Sequence, residues 1–413
     1  MGMKSRWACG VLAALLAIGL NACVNSNNGV GTSNTGFMWV TTQGDQMVSA
    51  FNINLSTGAV SKSGNSVPTG ANPSAMAISP NNGTLFVANT GNSTVSTYTV
   101  NSDGSLVAAS STSTLVTSPP GCTIACTTIL GQSPVAMDVD PSGKFLFVAD
   151  RGTSVDPAVP GTISVFSVSG TTLTPVGPAC PANYSQTICP VIVTDPSSSF
   201  GTGPSAIAVS AQFLYVANQF NGTLSVFAYD SAGQLAPPAT SPATYTVGAN
   251  PSALAFSRVV SGTNRDNFLF VTNFGSDTVN IFNACVASSP SCTSASPTGL
   301  LTPVASVGAG SGPAGIVVDP ALDFVYVLER KSSQVSEFTF SPATGGLSAL
   351  SNTASVSGSP FAAGITSDGN WVFVSNNSGS NLSAFAVGAN GVLNIPTTSS
   401  IVLTGLPSAV LIK

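Results

Sequence analysis

One short phrase recurs along the chain at nearly regular intervals, and this repeat limits the possible folds more than any other feature. The phrase starts with a proline and small or apolar residues, passes through a turn, and continues into an apolar run that usually ends in asparagine. Its prolines are Pro73, Pro134, Pro204, Pro251, Pro313, Pro360 and Pro407. Three of the intervals are 47 residues long, and the longer ones contain pairs of cysteines. A common unit with insertions explains this pattern.

Each unit contains about four runs of strand length, which in the first complete unit are residues 74–79, 85–89, 94–100 and, more weakly, 105–109. Tight turns of Pro, Asn and Gly join the first two runs, so neighbouring strands must be antiparallel. A four-stranded antiparallel unit of this length is typical of a propeller blade. The sequence therefore predicts an all-β protein, a seven-bladed β-propeller.

The two ends of the repeat array predict how the ring closes. Residues 37–42 match the second strand of a unit and residues 47–53 the third, so the first blade lacks its innermost strand. Residues 406–412 match an innermost strand that has no successor. Pairing these two segments would complete the seventh blade and cover the edges that an open ring exposes. We expect the propeller to span residues 37–413.

Few residues in this chain can carry charge, and none is histidine. Ten Lys and Arg against 15 Asp and Glu give a formal net charge of −5, which makes nucleic acid an improbable partner. The absence of histidine excludes every His-based catalytic triad and every His-ligated metal site. No calcium loop is recognisable around Asp138 or Asp140, so we expect neither metal nor cofactor.

The first 36 residues differ from the repeats. Residues 1–22 combine a short basic start with an apolar run too short to span a bilayer comfortably, which is typical of a signal peptide. Leu20-Asn21-Ala22-Cys23 resembles the lipobox of bacterial lipoproteins, which implies lipidation of Cys23 and a cell-envelope location, periplasmic or on the outer surface. A simple cleaved signal and an uncleaved anchor are the alternatives. Residues 23–36 have no apolar periodicity and predict a flexible tether.

The other cysteines form three close pairs, Cys122 with Cys126, Cys180 with Cys189, and Cys285 with Cys292. Close pairs in an exported chain favour local disulfides. A shared zinc site is disfavoured, because the pairs lie in separate parts of the chain with no histidine beside them.

The residues that end the second strands make a candidate ligand-binding rim at one side of the disc. They are Thr42, Asn89, Asp150, Asn218, Asn273, Glu329 and Asn376. Turn-capping is the simpler interpretation of the asparagines. In two blades an acid at this position is followed by arginine, giving Asp150 with Arg151 and Glu329 with Arg330. Such pairs could bind a carboxylate, lactone or sugar, or could be ordinary rim salt bridges.

Asp138 departs from the repeat, because the matching positions in other units hold Ala77, Ala208 or Ala255. A carboxylate on an inner strand needs hydrogen bonds, water or a cation. We also expect any ligand to bind near the third blade, whose second-to-third loop (151–161) is enlarged and is flanked by loops carrying two cysteine pairs.

The phrases Pro-Ser-Ala-Ile-Ala-Val (204–209), Leu-Tyr-Val-Ala-Asn (214–218) and Val271-Thr272-Asn273 resemble the repeat named for its Tyr-Val-Thr-Asn signature. With the count of seven units, residues 37–413 resemble the lactonase-like seven-bladed propeller family, which includes 6-phosphogluconolactonases and carboxymuconate cyclases. The resemblance implies a site of His, Arg and Glu at one channel mouth. This chain has no histidine, and only Glu329 and Glu337 could supply the Glu.

Two hypotheses for function remain open at this point. The first is a non-catalytic, lipid-anchored binding or scaffold protein, expected to be a monomer, with an envelope protein, a glycan or a small sugar acid as its partner. The second is a divergent lactone hydrolase with Glu329 or Asp150 as base and Arg151 or Arg330 as oxyanion partner.

Overall fold

The computed structural model of the protein describes residues 34–115, 132–152, 161–176, 191–194, 202–238, 244–257, 267–286, 298–321, 324–396 and 400–413. These residues form β-strands and turns, with no α-helix in the described ranges. Nothing in this part of the chain could therefore cross a membrane as a long apolar helix.

The strands fall into seven antiparallel sheets, the blades, which we number in chain order. Blade 1 contains β1 (Thr35–Thr42), β2 (Met47–Asn54), β3 (Val60–Pro68) and, from the end of the chain, β31 (Pro407–Ile412); blade 2 contains β4 (Pro73–Ile78), β5 (Thr84–Asn89), β6 (Thr94–Val100) and β7 (Leu106–Ser113). Blade 3 contains β8 (Pro134–Val139), β9 (Phe145–Asp150), β10 (Gly161–Ser169), β11 (Thr172–Pro175) and β12 (Val191–Thr194); blade 4 contains β13 (Pro204–Val209), β14 (Phe213–Asn218), β15 (Thr223–Tyr229), β16 (Leu235–Ala236) and β17 (Thr244–Thr246). Blade 5 contains β18 (Pro251–Phe256), β19 (Asn267–Asn273), β20 (Thr278–Ala284) and β21 (Leu301–Gly308); blade 6 contains β22 (Pro313–Val318), β23 (Phe324–Glu329), β24 (Gln334–Phe340) and β25 (Leu347–Ser355); blade 7 contains β26 (Pro360–Ile365), β27 (Trp371–Asn376), β28 (Asn381–Val387), β29 (Leu393–Asn394) and β30 (Ser400–Val402).

The predicted four strands per unit are confirmed, with one variation at the outer edge. Blades 3, 4 and 7 fill the outer position with two short strands, both of which pair with the third strand of the blade. The outer run is also the weakest of the four in the sequence, and outer strands such as β7 are largely exposed. An edge strand of this kind gains little from burial, which explains why it tolerates interruption.

The predicted closure is also confirmed. Strand β31 pairs antiparallel with β1, and Trp39 lies opposite Leu411 in that register. Each innermost strand contacts the next around the ring, including β26 with β31 and β31 with β4. The ring is therefore closed by the last strand of the chain, which pairs with the edge of β1.

The hydrophobic core lies between blades, because each sheet packs both faces against its neighbours. One cluster joins Phe86 and Ala88 of blade 2 to Met137 and Leu146 of blade 3, and equivalent clusters occupy the other seams. The second strands are buried along their whole length, as in β5, β9, β14 and β27. This double-sided burial explains their continuous apolar sequences.

Several predictions concern residues outside the described ranges. Cys23, with the proposed signal peptide and tether before residue 34, lies there, as do Cys122, Cys126, Cys180, Cys189 and Cys292. Cys285 is described and buried, but its expected partner is not. Lipidation and the three disulfides therefore stay predictions.

Candidate functional site

The central channel widens into a cavity of about 430 Å³ at the mouth where the inner strands begin. Every blade contributes the second residue of its inner strand to the wall of this cavity. These residues are Ser74, Val135, Ser205, Ser252, Ala314, Phe361 and Ser408. Two charged side chains, Arg151 and Arg330, also line it, and none of the described lining residues is acidic. The wall thus carries positive charge with no carboxylate to neutralise it.

Each arginine directly follows the second strand of its blade, blade 3 for Arg151 and blade 6 for Arg330. Because these blades are three apart in a ring of seven, the two side chains approach the cavity from facing sides. The Arg330 guanidinium lies over the Phe361 ring, 5.0 Å from its centroid, and this cation–π contact fixes its direction. Arg151 is half-buried, and its Nε is buried without a hydrogen-bond partner. Burial lowers the pKa of Arg151, although a guanidinium stays protonated in proteins.

The sequence differs between blades at this mouth, and the difference coincides with the two blades whose arginines face the cavity. In four blades the inner-strand serine donates a hydrogen bond to the carbonyl oxygen of the proline that opens the next blade. The four distances are 3.0 Å from Ser74, 2.7 Å from Ser205, 2.7 Å from Ser252 and 2.6 Å from Ser408. In blade 7, Asn377 donates to Pro407 at 3.0 Å instead.

Blades 3 and 6 have the apolar residues Val135 and Ala314 where those serines stand, and neither side chain can form this bond. The same two blades carry Arg151 and Arg330. At these two positions the serine-to-proline hydrogen bond between blades is therefore absent, and the blade carries an arginine at the mouth.

The residues that end the second strands do not line the cavity. All seven are buried, with at most 3% exposure. The asparagine amides donate to a polar side chain two residues into the third strand: Asn89 to Ser96 at 2.9 Å, Asn218 to Ser225 at 2.8 Å, Asn376 to Ser383 at 2.8 Å and Asn273 to Asn280 at 2.7 Å. These side chains hold the turn between the second and third strands, as the turn-capping interpretation expects.

Asp150 occupies the same position in blade 3 and makes the same kind of contact. Its carboxylate accepts hydrogen bonds from Ser164 Oγ at 2.6 Å and Thr162 Oγ1 at 3.3 Å. Burial raises the pKa of Asp150 to about 8, and the hydroxyl donors offset the effect only in part. A protonated carboxyl at neutral pH is a close stand-in for the asparagine of the other blades. Asp150 therefore takes the structural place of the asparagine in its blade, and its side chain does not line the cavity.

Glu329 also points into its own blade. The Ser311 backbone N–H (3.3 Å) and the Ser332 hydroxyl (2.5 Å) donate to its carboxylate, and Ser336 donates at short range. Glu337, the other glutamate, is buried beside blade 7 and accepts a hydrogen bond from the Leu393 N–H at 3.0 Å. Burial raises the pKa of Glu337. The two acid–arginine pairs are therefore split: the arginines face the cavity and the acids do not.

Asp138 links the inner strands of blades 3 and 4. Its two oxygens accept hydrogen bonds from the backbone N–H groups of Val139 at 2.9 Å and Val209 at 3.0 Å. Burial raises the pKa of Asp138 to about 6 despite these two donors. In the described ranges, no three His, Cys, Asp or Glu side chains come together as metal ligands. Asp138 has the hydrogen bonds that its position requires.

A family model described as a lactonase, 7-bladed beta-propeller, matches residues 14–153 and 191–405. The chain belongs to this family. No curated protein matches it by sequence. The family relationship favours the lactone-directed hypothesis and gives no support to the non-catalytic scaffold.

Solved structures place this lactonase-family propeller among similar folds. A suggested 6-phosphogluconolactonase from Bacteroides fragilis is 18% identical with a TM-score of 0.71, covering 94% of this chain and 100% of that chain. The periplasmic gluconolactonase of Pseudomonas aeruginosa is 21% identical with a TM-score of 0.70, covering 92% of this chain and 99% of that chain. At such identities the likeness concerns the fold alone.

Proposed function

We propose that this lactonase-family propeller binds a lactone at the arginine-lined channel mouth and hydrolyses it to the open hydroxy acid. The observation that carries the proposal is that Arg151 and Arg330 face one cavity whose described wall has no acidic side chain. Arginine binds carboxylate and carbonyl oxygens through charge-assisted hydrogen bonds. Family membership and the gluconolactonase of similar fold support a lactone as the substrate class.

The arginines would act on the charge that develops during ring opening. Water attacks the lactone carbonyl carbon, and the carbonyl oxygen becomes negative. A guanidinium that already points at this oxygen stabilises it. The attacking water gives up a proton to solvent, the ring C–O bond breaks, the leaving alkoxide takes a proton from solvent water, and the resulting acid ionises to the hydroxy carboxylate. A general base on the wall is not part of this proposal, because Asp150 and Glu329 both point into their blades.

We also propose that the protein acts in the cell envelope. The leader pattern supports export and attachment through a lipid on Cys23, so the substrate would be a lactone of the cell envelope space. One solved relative in fold is described as periplasmic, which agrees with this location. The expected partner is then a small sugar acid or lactone, in preference to a protein.

A panel of lactones assayed by base titration at constant pH tests the proposal. We expect turnover by the wild type, and a loss of about 100-fold in kcat/KM for Arg151→Gln or Arg330→Gln, the usual effect of removing an oxyanion donor. Lys62→Gln removes a charge on the exposed outer edge of blade 1 and is the matched control. Glu329→Gln should keep the wild-type rate if it still folds, as checked by circular dichroism.

Two results would contradict the proposal. One is the absence of turnover across the panel. The other is full turnover by the double variant that lacks both arginines.

A further inference from the structure

Seven residues, one from each blade, occupy the same backbone position at the channel mouth, directly after the second strand. The backbone N–H of each donates to the carbonyl of the residue that precedes the opening proline of its blade, at 2.8–3.0 Å in all seven blades. These residues are Gln43, Thr90, Arg151, Gln219, Phe274, Arg330 and Asn377. Because they share this hydrogen bond, their side chains start from equivalent points around the ring, and any difference in role comes from the side chains themselves.

Three of these side chains are held by the neighbouring blade. Each donates a hydrogen bond to the carbonyl oxygen of the proline that opens the next blade: Thr90 at 2.6 Å, Asn377 at 3.0 Å and Gln43 at 3.4 Å. They belong to blades 2, 7 and 1, which are neighbours in the closed ring. None of the three is among the described residues that line the cavity. This side of the mouth is therefore used for contacts between blades.

The other four side chains line the cavity, and they come from the consecutive blades 3 to 6. We call these residues, Arg151, Gln219, Phe274 and Arg330, the mouth arc. Within the described ranges, none of them donates to the proline carbonyl of the next blade. The arginines stand at the two ends of the arc, so a ligand that contacts both lies against Gln219 and Phe274 between them.

Gln219 is the one member of the mouth arc whose side chain can both donate and accept a hydrogen bond. A guanidinium only donates, and a phenylalanine ring does neither. The Gln219 side chain is half-buried and makes no hydrogen bond with any described residue. A second amide, that of Asn250, lines the same cavity directly before the inner strand of blade 5. A hydroxyl group also donates and accepts, so it is the ligand group that matches these amides best.

We infer that Gln219 is a specificity-determining residue, whose side-chain amide binds a hydroxyl group of the substrate while the arginines hold the lactone or carboxylate group. The position of the lactone rests on the proposed function. The role of Gln219 rests on the mouth arc, because the same residue type at the same position of blade 1, Gln43, is hydrogen-bonded to the next blade instead. An analogue without hydroxyls would displace water from the amide and return no hydrogen bond, so the site should discriminate against it.

Calorimetric binding of gluconate and hexanoate tests the inference without any chemistry, since the two carboxylates have the same carbon chain and only gluconate carries hydroxyl groups. We expect the wild type to prefer gluconate. Gln219→Leu should lower this preference about threefold to tenfold, the usual contribution of one neutral hydrogen bond, through a weaker affinity for gluconate. Hexanoate should still bind, which shows that the mouth of the variant is intact.

Gln43→Leu is the matched control, because it makes the same substitution at the equivalent position on the side of the mouth that does not line the cavity. It should keep the wild-type preference. The inference would be overturned by no measurable binding of gluconate, by a preference that Gln219→Leu fully retains, or by equal losses in the two variants. A loss that came only from tighter binding of hexanoate would overturn it as well.

Lactone turnover, measured in parallel, separates this inference from the proposed hydrolysis. A preference that depends on Gln219 in a protein that turns over no lactone would support the role of Gln219 and count against the hydrolysis only. Turnover of lactones together with a preference that Gln219→Leu retains would leave the hydrolysis standing and remove the role of Gln219.

Discussion

A repeated contact between a glycine and an aromatic ring gives the sharpest test of how the blades fit together. In six of the seven blades, a glycine with positive φ in the loop after the third strand lies against the aromatic residue at or near the start of a second strand in the preceding blade. The pairs are Gly58 with Trp371, Gly104 with Phe37, Gly233 with Phe145, Gly299 with Phe213, Gly345 with Phe268, and Gly391 with Phe324. Gly170 of blade 3 is the exception. Nothing lies within 4 Å of the position that its Cβ would take.

We predict that Gly345→Ala destabilises the protein more than Gly170→Ala does. Both glycines have positive φ, 75° and 57°, so either substitution incurs left-handed strain of about 1–2 kcal/mol. A Cβ at position 345 would also lie 2.3 Å from the ring of Phe268, which is 2% exposed and cannot move aside. Overpacking of this kind costs about 1–3 kcal/mol more. The expected totals are about 2–5 kcal/mol for Gly345→Ala and about 1–2 kcal/mol for Gly170→Ala.

Urea unfolding followed by tryptophan fluorescence measures the two free energies of unfolding, and the difference between the variants removes the strain they share. Equal losses for both variants would refute the reasoning, because the ring contact would then contribute nothing. The structure explains why blade 3 differs. Its neighbour begins the second strand with Thr84, whose hydroxyl donates to the Gly170 carbonyl at 3.2 Å, and both residues line a cavity of about 190 Å³ that could accept a Cβ.

Three further predictions follow from the blades and the leader. Asp150→Asn should stabilise the protein at neutral pH: the folded pKa of about 8 lies above the unfolded value, so the contribution of Asp150 to stability is full below about pH 4 and is lost as pH rises to about 8. Unfolding curves from pH 4 to pH 9 should show a gap between variant and wild type that widens with pH; a constant gap would contradict it. Deletion of residues 406–413 removes the closing strand and should lower the melting temperature far more than loss of a tail would, so a truncated protein that melts with the wild type would mean that closure matters little. Mass spectrometry of the native protein should find Cys23 lipidated at the N-terminus, and an unmodified Cys23 would count against the lipoprotein prediction.

The fold could be predicted from the sequence because the propeller repeats its local signals. Each blade carries an opening proline, a buried second strand and similar turn residues. A strand assignment that is uncertain in one blade can therefore be checked against the same position in the other blades. The closing strand was predictable for a similar reason, since residues 406–412 match a strand type whose neighbours were known. The interrupted outer strands of blades 3, 4 and 7 were harder, because an exposed edge strand has little apolar pattern to detect.

The site was only partly predictable, because alternation along a strand decides where a side chain points. Asp150 and Arg151 are adjacent in sequence and therefore point in different directions, one into the blade and one to the channel. A pair of neighbouring opposite charges suggested a joint acid–base unit. The inner strand carries a signal that distinguishes the role of the arginine from that of the acid. Val135 and Ala314 replace the inner-strand serine in the two blades whose arginines line the channel mouth.

A residue that differs from the repeat is therefore structural when its own blade supplies its hydrogen-bond partners, and it is a candidate for ligand binding when it faces the cavity instead. Asp150 and Glu329 replace asparagine, yet serine hydroxyls from their own blades hold both carboxyl groups. Arg151 differs from them in position: its side chain lines the channel mouth, whereas Asp150, which also keeps one buried oxygen without a hydrogen-bond partner, does not. A side chain can bind a ligand only where the ligand can reach it, and Arg151 and Arg330 line the cavity while Asp150 and Glu329 are enclosed in their blades. By this argument the arginines, and not the acids beside them, are the residues whose replacement should change binding without unfolding the ring.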